Sequence, residues 1–496
     1  MPTPFERLLP KLQELTDIGS ACALMSWDQA VMMPPAGAAQ RARALSTLQG
    51  LLHDRLTDPA IGELLAELEA SGDEDLDVQA SVRVLRRDHD RATKIPGRLV
   101  RAIAEAEGLA YQAWTEARPA ADFRLLQPHL ERLFGLKKEE ADALGWEGER
   151  YDALLDNFEP GMTTAEVEAM FSSLTQGLVP LAHEVLDAAG PAPEVLSREF
   201  DPDIQMRFCD RLAQALGFDN DRGRLDTSPH PFTIGIHSGD VRQTTKADPK
   251  DLLLSVYALI HETGHALYEQ GLPERMADLP AGRVPSLGLH ESQSRMWENQ
   301  VGRSRAFTDF LLPLLKEQFP DQLGMMAPEE WYRAVNHPQR TLIRVTSDEL
   351  TYNLHVALRF ELEIALFRDA LEVSDLPEAW NDAMAEKIGL RPPSDADGVL
   401  QDMHWAMGAI GYFPTYTLGT LYAAAFFDAA LRDLAGLMDD LRRGDGSRLL
   451  AWLREHIHRY AFHMPAKELG EQVLGGPLTP EPFLAYAREK YTALYL

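Results

Sequence analysis

The sequence contains only two cysteines among its 496 residues, Cys22 and Cys209. Two thiols cannot build a disulfide framework or a cysteine-rich metal site, and their scarcity favours a reducing compartment. The chain also has no run of 18 apolar residues and no basic-then-apolar start of the kind that signal peptides have. We therefore expect a cytoplasmic protein with no membrane span.

Positive charge is the second scarcity. The sequence has 48 Lys and Arg residues against 77 Asp and Glu residues, which gives a formal net charge of −29 and a pI near 4.9. This balance argues against nucleic acid as a partner, because a polyanion needs a basic surface. With 45% hydrophobic and 25% charged residues, the composition is that of an ordinary globular protein.

Helical periodicity dominates the chain, and there is no internal repeat. Three helices are predicted before residue 70, with a break at Pro34-Pro35-Ala36-Gly37. Further helices are predicted over about 78–93, 97–119, 122–143, 164–188, 251–270, 287–317, 326–335, 339–373, 377–388, 398–408, 417–443 and 447–462. The pattern indicates one large, mainly α-helical body.

One segment, residues 231–245, has a different pattern. Its Thr, Ile and Val residues favour strands, and Ser238-Gly239-Asp240 in the middle is suited to a turn. We therefore predict a small antiparallel sheet, formed by a hairpin just before the helix over about 251–270.

That helix carries the strongest chemical signal in the sequence, His261-Glu262-Thr263-Gly264-His265. Histidines four positions apart lie on the same helix face, one turn apart, so both imidazoles can bind one Zn²⁺. Glu262 lies about 100° around the helix and can flank the ion without binding it, as a general base should. The alternative is a core helix with hydrogen-bonded histidines, but burying these polar groups without partners is costly.

A catalytic zinc site needs a third protein ligand. The metzincin pattern is excluded, because Tyr268 and Gly271 stand where that pattern requires Gly and His. Glu291, 26 positions after His265, is the best candidate, since glycine and proline between them allow a second helix to return beside the first. His290 is an alternative that spacing alone disfavours only slightly.

Several stretches resemble the carboxypeptidase Taq family of prokaryotic metallocarboxypeptidases. The matching motifs, which occur in the family's order, are His230-Pro231-Phe232, Asp240-Val241-Arg242-Gln243-Thr244, His261-Glu262-Thr263-Gly264-His265, His290-Glu291-Ser292-Gln293 and Gly398-Val399-Leu400-Gln401-Asp402-Met403-His404-Trp405. Trp27-Asp28 and Met33-Pro34 near the start are also similar. One motif departs from the family, because Ile343-Arg344-Val345-Thr346-Ser347-Asp348 has Ser347 where the family has Ala.

The resemblance implies a mainly α-helical fold with a deep substrate groove and a small sheet lining it. We expect residues 1–496 to form a single catalytic domain, with the N-terminal helices over about 1–120 as one wall of the groove. The resemblance implies His261, His265 and Glu291 as zinc ligands, Glu262 as catalytic acid/base, and a homodimer. It also implies release of single C-terminal residues from peptides.

An exopeptidase of this kind must bind a free carboxylate, and a guanidinium group can donate two parallel hydrogen bonds to one. Arg242 and Arg344 are the candidates, because both lie in motifs of the family. On the predicted helix over 339–373, Arg344 shares one face with Asp348, Thr351 and His355. The alternative for Arg344 is an ordinary ion pair with Asp348 on a solvated face.

Other motif residues are candidates for contacts with substrate. Tyr412 and Tyr416, in a loop between predicted helices, could donate to the oxyanion of a tetrahedral intermediate, although aromatic packing explains them equally well. Gln401 and His404 are candidates for substrate contacts or for support of the site, and His230 joins them through its motif.

The sequence thus predicts metal-assisted peptide hydrolysis with Zn²⁺ as cofactor and Co²⁺ as a possible substitute. Glu262 would take a proton from water and pass it to the leaving amine. One rival is a zinc oligoendopeptidase with the same metal site and no carboxylate recognition. Another is a peptide-binding protein with purely structural zinc, which the presence of Glu262 disfavours.

Overall fold

The computed structural model describes residues 2–72 and 74–496, without the side chains of residues 196 and 197. Within these residues, no helix combines the length and apolarity that crossing a bilayer requires. The first part of the chain is helical, as its periodicity predicts. Its helices are α1 Pro4–Val31, α2 Ala38–Leu56, α3 Pro59–Ser71, α4 Leu76–Lys94, α5 Gly97–Ala120, α6 Gln127–Leu144, α7 Asp152–Leu155 and α8 Thr164–Ala188.

The middle of the chain holds the sheet and the helices that carry the histidine motif. In order, it contains α9 Pro202–Ala215, β1 Gly223–Thr227, β2 Thr233–His237, β3 Asp240–Thr245, α10 Leu252–Glu269, α11 Leu287–Arg295, a π-helical turn Met296–Gly302, α12 Arg305–Gln318, α13 Pro320–Leu323 and α14 Pro328–Val335. The last third is again helical: α15 Glu349–Phe367, α16 Leu376–Lys387, α17 Pro414–Asp433, α18 Leu437–Arg442, α19 Ser447–His456, α20 Ala466–Leu474 and α21 Glu481–Tyr495.

The sheet has the order β1-β3-β2, so it contains one more strand than the sequence predicts. The antiparallel β2–β3 hairpin is confirmed, with Thr233 opposite Gln243. The additional strand β1 pairs parallel to β3, which makes the sheet mixed. The sequence signal for β1 is weak, because its residues Gly223-Arg224-Leu225-Asp226-Thr227 include only one large apolar side chain.

Helix α10 is buried, as its apolar flanks predict. Asp251 caps its N-terminus by accepting a hydrogen bond from the backbone N–H of Leu254. The helix packs tightly against α11 at Gly264, where an added Cβ would lie 2.6 Å from Cα of Ser294. This close contact requires glycine and fixes the distance between the two helices that carry the candidate ligands.

Two predicted helices differ from the structure: one is shorter than predicted, and the other is absent. The helix predicted over 339–373 begins only at Glu349, because Asp348 caps it by accepting hydrogen bonds from the N–H groups of Leu350 and Thr351. Arg344 therefore lies in a short 3-10 turn before the helix, and does not form the predicted helical face with Asp348. The segment over 398–408 is an irregular loop that ends in one 3-10 turn.

Most buried apolar side chains belong to two large clusters. In the first cluster, helices α5 to α8 pack against α15 and α16. In the second, α9, α10 and α12 pack together. Helix α17 supplies side chains to both, for example Leu418 to the first cluster and Phe426 to the second. It lies against α11, where an added Cβ at Gly419 would meet Glu291.

Candidate metal centre

Helices α10 and α11 bring His261, His265 and Glu291 together, and we call these three residues the ligand cluster. Each offers one donor atom, and the three atoms lie within 4.8 Å of one another. Oε2 of Glu291 is 3.5 Å from Nε2 of His261 and 3.3 Å from Nε2 of His265. One helical turn separates the two histidines, and their rings meet edge to face with centroids 5.0 Å apart.

The donor set fits a divalent metal of the zinc type. Tetrahedral zinc with nitrogen and oxygen ligands at about 2.0–2.1 Å has ligands separated by about 3.3–3.4 Å, close to the two measured separations. Two imidazole nitrogens and one carboxylate oxygen are the ligands found in one class of catalytic zinc site. All three side chains are largely buried, with 10–19% of their surface exposed.

Glu262 is buried beside the cluster and held by the sheet. The hydroxyl of Thr233, on β2, lies 2.8 Å from Oε2 and 2.9 Å from the backbone carbonyl oxygen of Glu262. Burial raises the pKa of Glu262 above its usual value. A carboxylate with a raised pKa is suited to accepting a proton and then releasing it.

The two histidines differ in their charge environments. Burial opposes protonation of His261, but the charge of Glu291 and the hydrogen bond to Glu298 outweigh it and raise its pKa to about 9. Burial and the charge of His290 lower the pKa of His265 to about 3. Although burial favours a neutral Glu291, the nearby positive charges hold the pKa of this carboxyl well below its usual range.

A second set of groups surrounds the cluster. Nδ1 of His261 lies 2.9 Å from Oε2 of Glu298, which lies in the π-helical turn. Nε of Arg295 donates to Oε1 of Glu291 over 2.9 Å, and its Nη1 lies 3.4 Å from Oε2 of Glu298. Arg303 contacts the other oxygen of Glu298 at 3.3 Å.

His290, the alternative ligand, points elsewhere. Its Nε2 lies 2.9 Å from Oε1 of Glu269, and its ring stacks on that of His265 with centroids 4.3 Å apart. It supplies no atom to the ligand cluster. The geometry therefore favours Glu291 over His290 as the third ligand.

Arg242 is paired and lies on the far side of the sheet from α10. Thr233 and Gln243 bond to residues of α10, so Arg242, the neighbour of Gln243 on β3, faces the other way. There it donates two hydrogen bonds of 2.9 Å to Asp240 and stacks 4.3 Å above the ring of Trp27.

Arg344 is buried in a network of charged and polar groups. Its Nη2 donates to Asp402 over 2.8 Å, and its Nη1 lies 3.2 Å from the hydroxyl of Tyr352. Arg359 pairs with the other oxygen of Asp402 at 2.6 Å. Gln401 accepts hydrogen bonds from the N–H of Arg344 and from Arg359. We call Arg344, Arg359, Gln401 and Asp402 the arginine–aspartate network.

Tyr412 and Tyr416 lie close enough to this network and to the ligand cluster for the charges of Arg344 and Glu291 to act on both phenols. The guanidinium of Arg344 lies 4.9 Å above the ring of Tyr416, whose hydroxyl is 3.3 Å from Nε2 of His404. Burial, with a smaller contribution from the negative charge of Glu291, raises the pKa of both tyrosines. Both phenols therefore stay protonated and able to donate at neutral pH.

His230 lies apart from these groups. It is exposed in the turn before β2, and its backbone carbonyl accepts a hydrogen bond from Ser228. The structure describes no contact between its ring and the ligand cluster.

Sequence reasoning missed Glu298, Arg295 and Thr233. Arg295 follows Glu291 by four positions, which on a helix is the spacing of an ion pair. That spacing and the charges of Arg295 and Glu298 soon after Glu291 were available as signals. The contact of Thr233 with Glu262 depends on the docking of the sheet and had no sequence signal.

Two histidines on one helix and a glutamate on the next helix form a metal-binding set of side chains. Together with the mainly helical fold, this set defines the class of the protein as a metallopeptidase. The family model for carboxypeptidase Taq (M32) metallopeptidase matches residues 7–491. The chain belongs to this family and is a metallocarboxypeptidase.

Individual relatives agree with this membership. The chain is 44% identical over 504 residues to thermostable carboxypeptidase 1 of Thermus thermophilus, covering 99% of both chains. It is 34% identical over 488 residues to carboxypeptidase 1 of Bacillus subtilis, covering 98% of this chain and 97% of the relative.

Solved structures show the same fold. The crystal structure of the M32 carboxypeptidase from Deinococcus radiodurans R1 matches with a TM-score of 0.96 and 42% identity, covering 100% of both chains. Trypanosoma cruzi metallocarboxypeptidase 1 matches with a TM-score of 0.95 and 35% identity, covering 98% of this chain and 99% of that one.

Proposed function

We propose that this metallocarboxypeptidase binds Zn²⁺ through His261, His265 and Glu291 and uses Glu262 as its acid/base. The observation that carries this proposal is the convergence of two imidazole nitrogens on one carboxylate oxygen at 3.3 and 3.5 Å. When bound there, Zn²⁺ polarises the scissile carbonyl and makes water a stronger acid and nucleophile. The chemistry of the donors suits Co²⁺ as a substitute.

Glu262 performs the proton transfers in this proposal. Its carboxylate accepts the proton of the attacking water and then delivers it to the leaving amine. The hydrogen bond from Thr233 fixes the carboxylate, and burial keeps bulk water from competing for the proton. Tyr412 and Tyr416 are proposed as donors to the oxyanion, because both are protonated and their pKa values respond to the charge of Glu291.

Arg344 is proposed as the group that binds the free carboxylate of the substrate. Its Nε is buried and has no hydrogen-bond partner among the described residues, so it can still donate. Its guanidinium lies over the ring of Tyr416, whereas Arg242 faces away from α10. In this proposal, Gln401 orients Arg344 and His404 orients Tyr416. A substrate contact by His230 stays a prediction.

The metal proposal is tested by removing and restoring the ion. Chelation should abolish release of C-terminal residues, and added Zn²⁺ or Co²⁺ should restore it. Comparing a peptide acid with its C-terminal amide separates a carboxypeptidase with a carboxylate clamp from an oligoendopeptidase. Cleavage of the amide at an internal bond, as fast as cleavage of the acid, would support the endopeptidase alternative.

We also propose a homodimer. Helix α2 buries none of its residues within the chain, and three large apolar side chains are 40–52% exposed: Leu24 on α1, Met32 just after α1 and Leu51 on α2. A second copy covering them would remove apolar area from water. Light scattering should give twice the chain mass of 55.4 kDa. A monomer at micromolar concentration would contradict the proposal.

Three broader proposals complete this description. A single catalytic domain is supported by α17, which joins both large apolar clusters, and should give one cooperative unfolding transition. The N-terminal helices are proposed as one wall of the substrate groove. A cytoplasmic location is supported by two free thiols, Cys22 and Cys209, and is tested by cell fractionation.

A further inference from the structure

We propose that Glu298 and Arg295 act as one orienting pair that holds two of the three metal ligands, His261 and Glu291. The pair sets the affinity of the site for its ion without contacting the ion. This inference rests on the ligand assignment proposed above and adds two positioning residues to it.

The first half of the argument concerns His261. Oε2 of Glu298 lies 2.9 Å from Nδ1 of this histidine. Glu298 is flanked by Arg295 and Arg303, which favour its ionised form, and an ionised carboxylate can only accept a hydrogen bond. Nδ1 of His261 must therefore carry a proton, so in the neutral ring that metal binding requires the lone pair is on Nε2, the atom that faces the cluster.

The second half concerns Glu291. Nε of Arg295 bonds to Oε1, so only Oε2 of this carboxylate is directed at the two histidines. Arg295 is itself fixed, because its guanidinium lies 3.9 Å above the ring of Tyr352 and its Nη1 reaches Glu298 at 3.4 Å. One guanidinium group thus connects a ligand on α11 to the carboxylate that orients a ligand on α10.

The backbone is adapted to this arrangement. Glu298 lies in the π-helical turn Met296–Gly302, which continues directly from α11. The i→i+5 bonding of a π-turn widens the helix and changes the direction of its side chains, and such turns are frequent at functional sites. Here the turn packs against α10 at Gly302, where an added Cβ would lie 3.2 Å from Ile260.

A neighbouring pair provides a matched control. Glu269 on α10 bonds to the imidazole of His290 on α11 over 2.9 Å, the same kind of carboxylate–imidazole contact. His290 gives no atom to the ligand cluster. If orientation of a ligand is what matters, removing the charge of Glu298 should weaken metal binding, whereas removing the charge of Glu269 should not.

The experiment measures Zn²⁺ affinity of the full-length chain by competition with a chromogenic chelator. We expect Glu298→Gln to weaken binding by about 10–100-fold, as is usual when a partner of a ligating histidine is lost. Arg295→Lys should weaken it in the same direction, because one ammonium group cannot bond to both Glu291 and Glu298. Glu269→Gln should stay within about threefold of the unchanged chain.

A second measurement uses the visible spectrum of the Co²⁺-loaded chain, which reports ligand geometry rather than fold. We expect altered bands in Glu298→Gln and Arg295→Lys, and an unchanged spectrum in Glu269→Gln. Wild-type affinity in Glu298→Gln, or an equal loss in Glu269→Gln, would overturn the proposal. If Glu298→Gln does not fold, Arg295→Lys decides, and wild-type affinity in that variant would overturn it.

His261→Ala, measured in parallel, separates this proposal from the ligand assignment beneath it. If His261→Ala keeps its Zn²⁺, the ligand assignment itself is wrong. If His261→Ala loses Zn²⁺ while Glu298→Gln and Arg295→Lys both bind it as tightly as the unchanged chain, the assignment stands and the orienting pair is refuted.

Discussion

The ligand cluster and the arginine–aspartate network are both buried groups of charged and polar side chains, but they are balanced differently. In the network, each oxygen of Asp402 meets a guanidinium donor, and Gln401 connects the two arginines. In the ligand cluster, two imidazole nitrogens and a carboxylate oxygen face one another, and the donors lie behind them. Two imidazoles and a carboxylate that converge in a buried site need a positive charge, either a metal ion or a proton on His261, whose pKa is raised to about 9 by Glu291 and Glu298, whereas the network is nearly satisfied by its own members.

The largest expected effect comes from removing a histidine of the ligand cluster, because the cluster needs all its members to bind metal, unlike the arginine–aspartate network. We expect His261→Ala or His265→Ala to lose most bound zinc and nearly all peptidase activity, because two remaining ligands do not hold zinc tightly. Elemental analysis after dialysis checks the metal content. Near-stoichiometric zinc in either variant would mean that the cluster is not the metal site.

Glu262→Gln should separate metal binding from proton transfer. The amide is nearly isosteric, so the histidines and the bound metal should stay in place. Because an amide cannot take the proton of water, we expect hydrolysis to fall by about 10²–10⁴-fold or more. The measurements are metal content and kcat on a peptide acid. Turnover above about a tenth of the unchanged chain would exclude Glu262 as the base.

Arg344→Ala should show whether the network also serves the substrate. A charge-assisted, partly desolvated contact contributes about 2–5 kcal/mol when one partner is truncated, so kcat/KM should fall by one to several powers of ten. The loss should appear with a peptide acid and be much smaller with the matched amide. Lysine at this position should restore only part of the activity, because its ammonium group has the charge but cannot donate two parallel hydrogen bonds to a carboxylate.

Arg242→Ala is the control for that measurement, because Arg242 is paired with Asp240 on the far face of the sheet. It should cost less than Arg344→Ala and affect acid and amide alike. An equal loss on both peptides for both variants would assign the two arginines to the fold alone.

The smallest expected effect concerns Glu363, a buried carboxyl that forms no salt bridge among the described residues. Glu363 accepts hydrogen bonds from the hydroxyl of Tyr151, the indole of Trp405 and the N–H of Gly411. Burial raises its pKa to about 7. Since the folded chain binds this proton more tightly than the unfolded chain, its stabilising contribution is complete below pH about 4.5 and is lost as pH rises through about 7.

Glu363→Gln should therefore flatten the pH dependence of stability, because the amide is neutral at every pH. Between pH 5.5 and 8, the Tm of the unchanged chain should fall more steeply than that of the variant, on the scale of about 1.4 kcal/mol per unit of pKa difference. Thermal unfolding across this range provides the measurement. Parallel profiles would show that Glu363 is ionised in the folded chain.

Local features of the chain were predictable where one signal dominated. The periodicity of α8 gives its observed bounds, and the β2–β3 hairpin follows from its β-branched residues and turn. The spacing of His261 and His265 defines a shared helix face, and their convergence with Glu291 agrees with the expectation from spacing and family resemblance.

The remainder depended on long-range contacts. The start of α15 is fixed by the cap at Asp348, which competed with a continuing helical pattern. The pairing of Arg344 joins residues 58 positions apart, and no helical spacing could indicate it. The segment over 398–408 was predicted as helix from its composition, but Gln401 and Asp402 bond instead to Arg344 and Arg359.

Gly264, between Glu262 and His265, makes the centre of α10 less helical in propensity than it could be. Alanine at an interior helix position is favoured over glycine by about 1 kcal/mol. Yet an added methyl group would lie 2.6 Å from Cα of Ser294 and 2.7 Å from the carbonyl oxygen of Gln293, so α10 and α11 would have to separate. A redesign that scores helix propensity alone would therefore choose alanine at this position. That substitution would move the histidines away from Glu291, so the isolated helix would be more stable but the site would bind metal less tightly.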